Sequence, residues 1–193
     1  MKLVLIDGGP ASGKNTLGEL IVKKLNETNE KAVLLDLDTY VERYNPRWIW
    51  DSEQQKELDQ LNARKDIAKD IDEQFRNDRT VIVIGERFLS KEDVTRFMDR
   101  LESARSVQLF HLNVPFELRE QRLYERGLHS LIDLAEDQSD RDAVKVWPGY
   151  VYANTHTPEE DAGSLIELIK NREGEILVEP KQEKEIDGKL KRH

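Results

Sequence analysis

Leu3-Val4-Leu5-Ile6-Asp7-Gly8-Gly9-Pro10-Ala11-Ser12-Gly13-Lys14-Asn15-Thr16 sets an unbroken apolar run against a glycine-rich turn that ends in lysine. An apolar run without alternation is the pattern of a strand covered on both faces. From Lys14 to Asn26 the pattern changes to a helical one, with Leu17, Leu20, Ile21 and Leu25 on one face. Strand, glycine-rich turn and helix follow in the order that folds backbone N–H groups around an anion at the positive end of a helix. Gly8 to Lys14 fits the spacing glycine, four residues, glycine, lysine. Gly8, Gly9, Pro10, Ala11, Ser12, Gly13, Lys14, Asn15 and Thr16 are therefore the candidate phosphate-binding residues.

The same alternation continues outward. Ala32 to Leu37, Val81 to Ile84, Val107 to Val114 and Tyr150 to Ala153 read as further strands. Between them lie helical patterns. One runs from about Ser52 to Phe75, with Leu58, Leu61, Ala68, Ile71 and Phe75 in its stripe. Ser90 to Asp93 resembles a capping box that opens a helix through Leu101, Pro115 suits the first turn of another, and Thr157-Pro158-Glu159-Glu160 starts the last, with Leu165, Ile166 and Ile169 on its buried face. Glu175 to Val178 is a candidate edge strand. Strands separated by helices pair in parallel, because a parallel crossover needs a dozen or more residues. The fold class expected is α/β, a right-handed three-layer sandwich around a parallel five-stranded sheet. It occupies residues 1–178, with a helical insertion at 39–77, a polar, mobile, lid-like segment at 127–148 and a charged, disordered tail at 179–193.

The 193 residues suffice for one domain with a full core. A formal net charge of -9 argues against non-specific tracking of a nucleic-acid backbone. Without cysteine there is no disulfide, zinc–thiolate centre or cysteine nucleophile. Neither a signal peptide nor a membrane span is legible, which makes a cytoplasmic location the expectation.

The run Gly-Gly-Pro-Ala-Ser-Gly-Lys-Asn-Thr resembles the loop of adenylate-kinase-like P-loop kinases, in which a glycine commonly follows the lysine and a threonine comes next. The resemblance implies a nucleoside-monophosphate-kinase-like fold, ATP as donor with GTP the alternative, and Mg²⁺. It gives Lys14 to the β and γ phosphates and lets Thr16 take the metal-side hydroxyl role, with Asn15 departing from the family pattern. Asp36-Leu37-Asp38-Thr39-Tyr40-Val41-Glu42-Arg43 resembles the segment after the second strand in kinases of the chloramphenicol-phosphotransferase and polynucleotide-kinase type. There an aspartate activates the acceptor hydroxyl and an arginine helps bind the substrate. Asp36 and Asp38 fall at the carboxyl edge of the sheet, where α/β folds place ligands. Alternation along an extended strand would put both on one side, with Asp38 nearer the loop and so the preferred base; solvated turn carboxylates are the alternative.

Arg119, Arg122 and Arg126, spaced by three and four on one helix face, resemble lid arginines that clamp the transferring phosphoryl group. Arg122 and Arg126 abut the lid-like segment and are the catalytic candidates with Lys14 and Asp38; a salt-bridged solvent face is the alternative. Glu86 and Arg87 resemble the Glu-Arg pair of deoxynucleoside kinases, and Ile84 stands where a Walker-B aspartate is usual. Asp36, Arg43, Trp48, Glu86 and Arg87 are the acceptor-side candidates. Asn154 to Thr157 lies where related kinases contact the base, and His111, inside a strand, reads as structural. The Asn-Lys-x-Asp and Asp-x-x-Gly signatures of GTPase switches are absent. The expected function is phosphoryl transfer to a small molecule such as a nucleoside or nucleotide, with no obligatory nucleic-acid or membrane partner. A polynucleotide 5′-hydroxyl kinase and a nucleotide-binding protein or NTPase without kinase activity are the alternatives.

Overall fold

The computed structural model describes residues 2–102, 106–128 and 132–178; the charged tail at 179–193 lies outside them. Among the described residues the elements are β1 (Leu3–Gly8), α1 (Lys14–Glu27), β2 (Ala32–Asp36), α2 (Leu37–Tyr44), α3 (Glu53–Arg76), β3 (Thr80–Ile84), α4 (Lys91–Met98), β4 (Ser106–Asn113), α5 (Phe116–Glu125), α6 (Leu134–Asp142), β5 (Tyr150–Ala153), α7 (Pro158–Lys170) and β6 (Glu175–Leu177). The sheet order is β2-β3-β1-β4-β5, and all four pairings are parallel. β6 is a sixth strand, antiparallel to the first half of β4.

Successive residues of β1 supply two cores. Leu3 and Leu5 pack with Val81, Val83, Val107 and Leu109 against α2, α3 and α4, while Val4 and Ile6 pack with Ile82, Ile84, Phe110 and Leu112 against α1 and α7. This is why the strand needs an unbroken apolar run. Each large side chain so buried stabilises the fold by roughly 1.5–3 kcal/mol. β1 has β3 on one side and β4 on the other, so its carboxyl end is the topological switch point of the sheet. The glycine-rich turn emerges there.

Three expectations need correction. β2 stops at Asp36 instead of running through Leu37, because the Asp36 carboxylate accepts the Asp38 N–H at 3.1 Å and caps α2. Asp36 and Asp38 therefore do not alternate along a strand. Leu58 and Leu61 are 50% and 39% exposed, and the buried stripe of α3 runs instead through Ala63, Ile67, Ile71 and Phe75. Its early turns turn Asp59 inward, where it accepts from Trp50 Nε1 at 3.0 Å and Gln55 Nε2 at 2.7 Å. The segment at 127–148, for which no helix is expected, contains one, α6, with a single buried apolar residue, Leu134. Among the described residues no helix is long and apolar enough to cross a membrane.

Candidate active site

Gly13, with φ 92°, turns the chain into α1 without a side-chain cap, leaving the first N–H groups of the helix directed at the loop. Two side chains brace the loop from outside: Asn154 Nδ2 donates to Ser12 O at 2.7 Å, and Arg122 Nη1 donates to Ala11 O at 3.0 Å. Lys14 folds back onto its own loop, donating to Gly8 O at 2.7 Å and Gly9 O at 3.2 Å. Burial pushes the Lys14 ammonium below its ordinary value, against the pull of Asp7 and Asp38. Ser12 Oγ is buried without a partner. A glycine-rich turn at a helix N-terminus, an idle buried hydroxyl and a lysine resting on carbonyls fit a polyphosphate chain.

The two residues after Lys14 face different walls. Asn15 Nδ2 donates to Asp36 Oδ2 at 3.0 Å, on the carboxylate side. Thr16, expected on the metal side, lines a pocket of about 180 Å³ with Gly13, Arg122, Arg126, Asn154, His156 and Pro158. That pocket is held by Asp161, a fully buried carboxylate that accepts from Tyr152 Oη at 2.6 Å and His156 N at 3.0 Å. Mg²⁺ keeps most of its shell from phosphate and water, so a site offering one or two side-chain oxygens fits it. Among the described residues no group of three or more His, Cys, Asp or Glu gathers as a metal site.

Asp38 sits in the first turn of α2. Its pKa is pushed up to about 6, first by burial of the carboxyl and then by Asp36, Glu42 and Glu86, against the attraction of Lys14. The residue as a whole is nonetheless exposed at the surface, so solvent screens part of this shift. Two titratable groups of opposite charge thus feel each other across the mouth of the loop. A carboxylate whose pKa lies near neutral can accept a proton from a hydroxyl held against it.

The other acceptor-side candidates disperse. Glu86 is engaged by Arg64, with Nε–Oε2 at 2.5 Å and Nη2–Oε1 at 3.0 Å, so it forms no side-chain pair with Arg87. Arg87 reaches across to α6, lying 3.0 Å from Asp140 and 3.6 Å from Asp137. Arg43 stacks on the Tyr40 ring at 3.9 Å, and Tyr40 and Tyr44 hydrogen-bond Asp70 and Asp66 of α3. Trp48, 40% exposed, packs edge-on against Trp50. The two arginines of α5 and the Arg126 that caps its end lie in three environments. Arg119 is buried on Asp137 at 2.9 Å and on Gln138, Arg122 braces the loop, and Arg126 opens onto the Thr16 pocket.

A network that the sequence reading does not contain joins the loop to α6. Arg141 forms a two-pronged pair with Asp7, both contacts at 3.1 Å, and its Nε lies 3.1 Å from Asp137 Oδ2. His111, read as structural, bridges Asp7 at 2.8 Å and Pro148 O at 2.6 Å. Burial alone would raise the Asp7 carboxyl, but hydrogen bonds from His111 and Arg141 hold it at about 2. Asp7 and Arg141 are 134 residues apart, and neither belongs to a local motif.

Loop, sheet order and flanking helices together are those of the P-loop kinase fold. A shikimate kinase from Aquifex aeolicus is 18% identical, aligned over 89% of this chain and 98% of its own, with a TM-score of 0.54. A sugar kinase from Janibacter sp. is 17% identical over 88% and 95%, with a TM-score of 0.60. The APS kinase of Mycobacterium tuberculosis, solved with AMPPNP and APS, is 15% identical over 88% and 97%, with a TM-score of 0.57. A model of the family described as chromatin associated protein KTI12 matches residues 1–86, the part that carries the loop, α2 and α3. A comparison with curated proteins gives no significant match.

Proposed function

We propose that the chain is a phosphotransferase that moves the γ-phosphoryl group of ATP, with GTP as the alternative donor, to a hydroxyl of a small molecule, a nucleoside or nucleotide among the candidates. The observation that carries this reading is the hydrogen-bonded chain that ties the loop to the carboxylate turn, from Asn15 to Asp36 at 3.0 Å and from the Asp38 N–H to Asp36 at 3.1 Å. The loop amides and Lys14 hold the β and γ phosphates and neutralise charge as it develops. Arg126, Asn154 and Thr16 line the side where the nucleoside is held. Asp38 takes the acceptor proton as the new oxygen–phosphorus bond forms and the bond to the β-phosphate oxygen breaks. Bound Mg²⁺ supplies charge neutralisation on the phosphates, and Asn15 and Asp36, with Thr16 opposite, are the residues available to it. Arg43, Trp48, Glu86 and Arg87 stay as acceptor-side candidates of second rank.

A second reading, a nucleotide-binding protein or NTPase that works with a partner, is supported by Glu86 being occupied by Arg64 and by the match to a chromatin-associated family. ATP turnover against panels of nucleosides, nucleotides and hydroxylated metabolites separates the two. Kinase activity should appear with one acceptor class and fall at least about a hundredfold in Lys14→Ala. Acceptor-independent hydrolysis alone would favour the second reading, and full activity in a folded Lys14→Ala would sink the site.

A further inference from the structure

Three guanidiniums from three separate parts of the chain converge on one carboxylate at the mouth of the loop. Arg119 comes from α5, Arg141 from α6 and Arg87 from the turn after β3, and their contacts to Asp137 are 2.9, 3.1 and 3.6 Å. The place they meet is the outer end of the loop. A Cβ added to Gly9 would collide with both Arg119 Nη1 and Asp137 Oδ2. Lys14 also feels the Asp137 charge.

Burying such a cluster gains little stability, because desolvating several charges offsets their attraction. The cluster is also over-supplied with donors. Arg119, with a side chain 3% exposed, has a buried Nε with no acceptor, even though its two other nitrogens are engaged by Asp137 and Gln138. A carboxylate has two oxygens and one charge, whereas a terminal phosphoryl group offers three oxygens and up to two charges. Arg141 has a second anchor in Asp7, with both contacts at 3.1 Å. Little apolar surface holds α6 down, since Leu134 is its one buried residue.

We infer that Asp137 is a built-in stand-in for a phosphoryl group: it fills an anion site made by Arg87, Arg119 and Arg141 beside Gly9, and the terminal phosphate of a nucleoside triphosphate takes its place. Asp137 is then an internal competitor that every anionic ligand of this site must displace. The inference rests on the reading of Gly8–Thr16 as a triphosphate loop. Binding of a non-hydrolysable ATP analogue, ADP and AMP to the full chain, measured by calorimetry, tests it. Asp137→Asn keeps the shape and removes the competing charge. It should tighten the ATP analogue by at least about tenfold, the scale of one close charge pair, with a smaller gain for ADP and none for AMP. Asp140→Asn, which removes the other carboxylate on Arg87, should not reproduce that ordering. Unchanged or weaker binding of the ATP analogue to folded Asp137→Asn overturns the inference and makes Asp137 a scaffold for the arginines. No nucleotide binding by either protein sinks the triphosphate reading and the inference with it. Should Asp137→Asn not fold, hydrogen exchange of residues 134–142 in the unaltered chain decides: the ATP analogue should change it and AMP should not. Equal exchange with both overturns the inference.

Discussion

Asp38 is the residue proposed as the base, and its raised pKa makes a signed prediction. A carboxyl at about 6 is protonated below that pH and cannot accept a proton. The rate at limiting substrate should therefore fall as pH drops through about 6, following one titrating group. Asp38→Asn should lower turnover by about 10² to 10⁴ and erase that limb while leaving ATP affinity nearly intact. A pH profile that is the same shape in both proteins would remove Asp38 from the base role. The loop, Lys14 and the neighbourhood of Asp38 are legible in the sequence because they are local, each a few residues on either side of a strand end. Asp7 is not. At the end of an apolar run it carries no sign that its partners, His111 and Arg141, lie more than a hundred residues on.

At the level of elements, the start of α2, which the sequence reading gives to the second strand, and the whole of α6, which it lacks, each hide for their own reason. Leu37, the first residue of α2, prolongs the apolar look that Leu34 and Leu35 give to β2, and what stops the strand is one hydrogen bond to the Asp36 side chain. In α6 there is no apolar period to detect, because Asp7, Asp137, Arg87, Arg119 and Arg141 fix the helix through charge. Hydrophobic periodicity reports burial against a core and is silent about a helix held by ion pairs. The cap gives a separable test. Asp36→Ala should destabilise the fold by about 1 kcal/mol through loss of the α2 cap. It should also release Asn15 from its hydrogen bond to Asp36 and remove a carboxylate beside the loop, so the Mg²⁺ requirement in turnover should rise. Thermal unfolding and a Mg²⁺ titration read the two effects independently, and an unaltered melting temperature would mean that α2 does not depend on Asp36.

For the molecule as a whole, the network beneath α6 makes acid stability a reporter of the contacts that Asp7 makes with His111 and Arg141. The Asp7 carboxyl has a pKa of about 2 in the fold against an ordinary 3.8, so its ionised form is favoured by folding. Its contribution is complete above about pH 4 and is lost as pH falls towards 2, amounting to about 2 kcal/mol. Denaturant unfolding of Asp7→Asn should be less pH-dependent between 4 and 2 than that of the unaltered chain; equal slopes would show that the acid sensitivity resides elsewhere. The far side of the sheet has a different kind of consequence. The outer flank of β4 is shared between β5, four residues and parallel, and β6, three residues and antiparallel. A foreign strand arriving there in either direction meets a matching row of hydrogen-bonding groups for only three or four residues. Although Val151 and Leu177 are exposed on it, that border offers poor templating for fibril growth, and concentrated solutions of the protein should resist seeding by β-rich aggregates from this side.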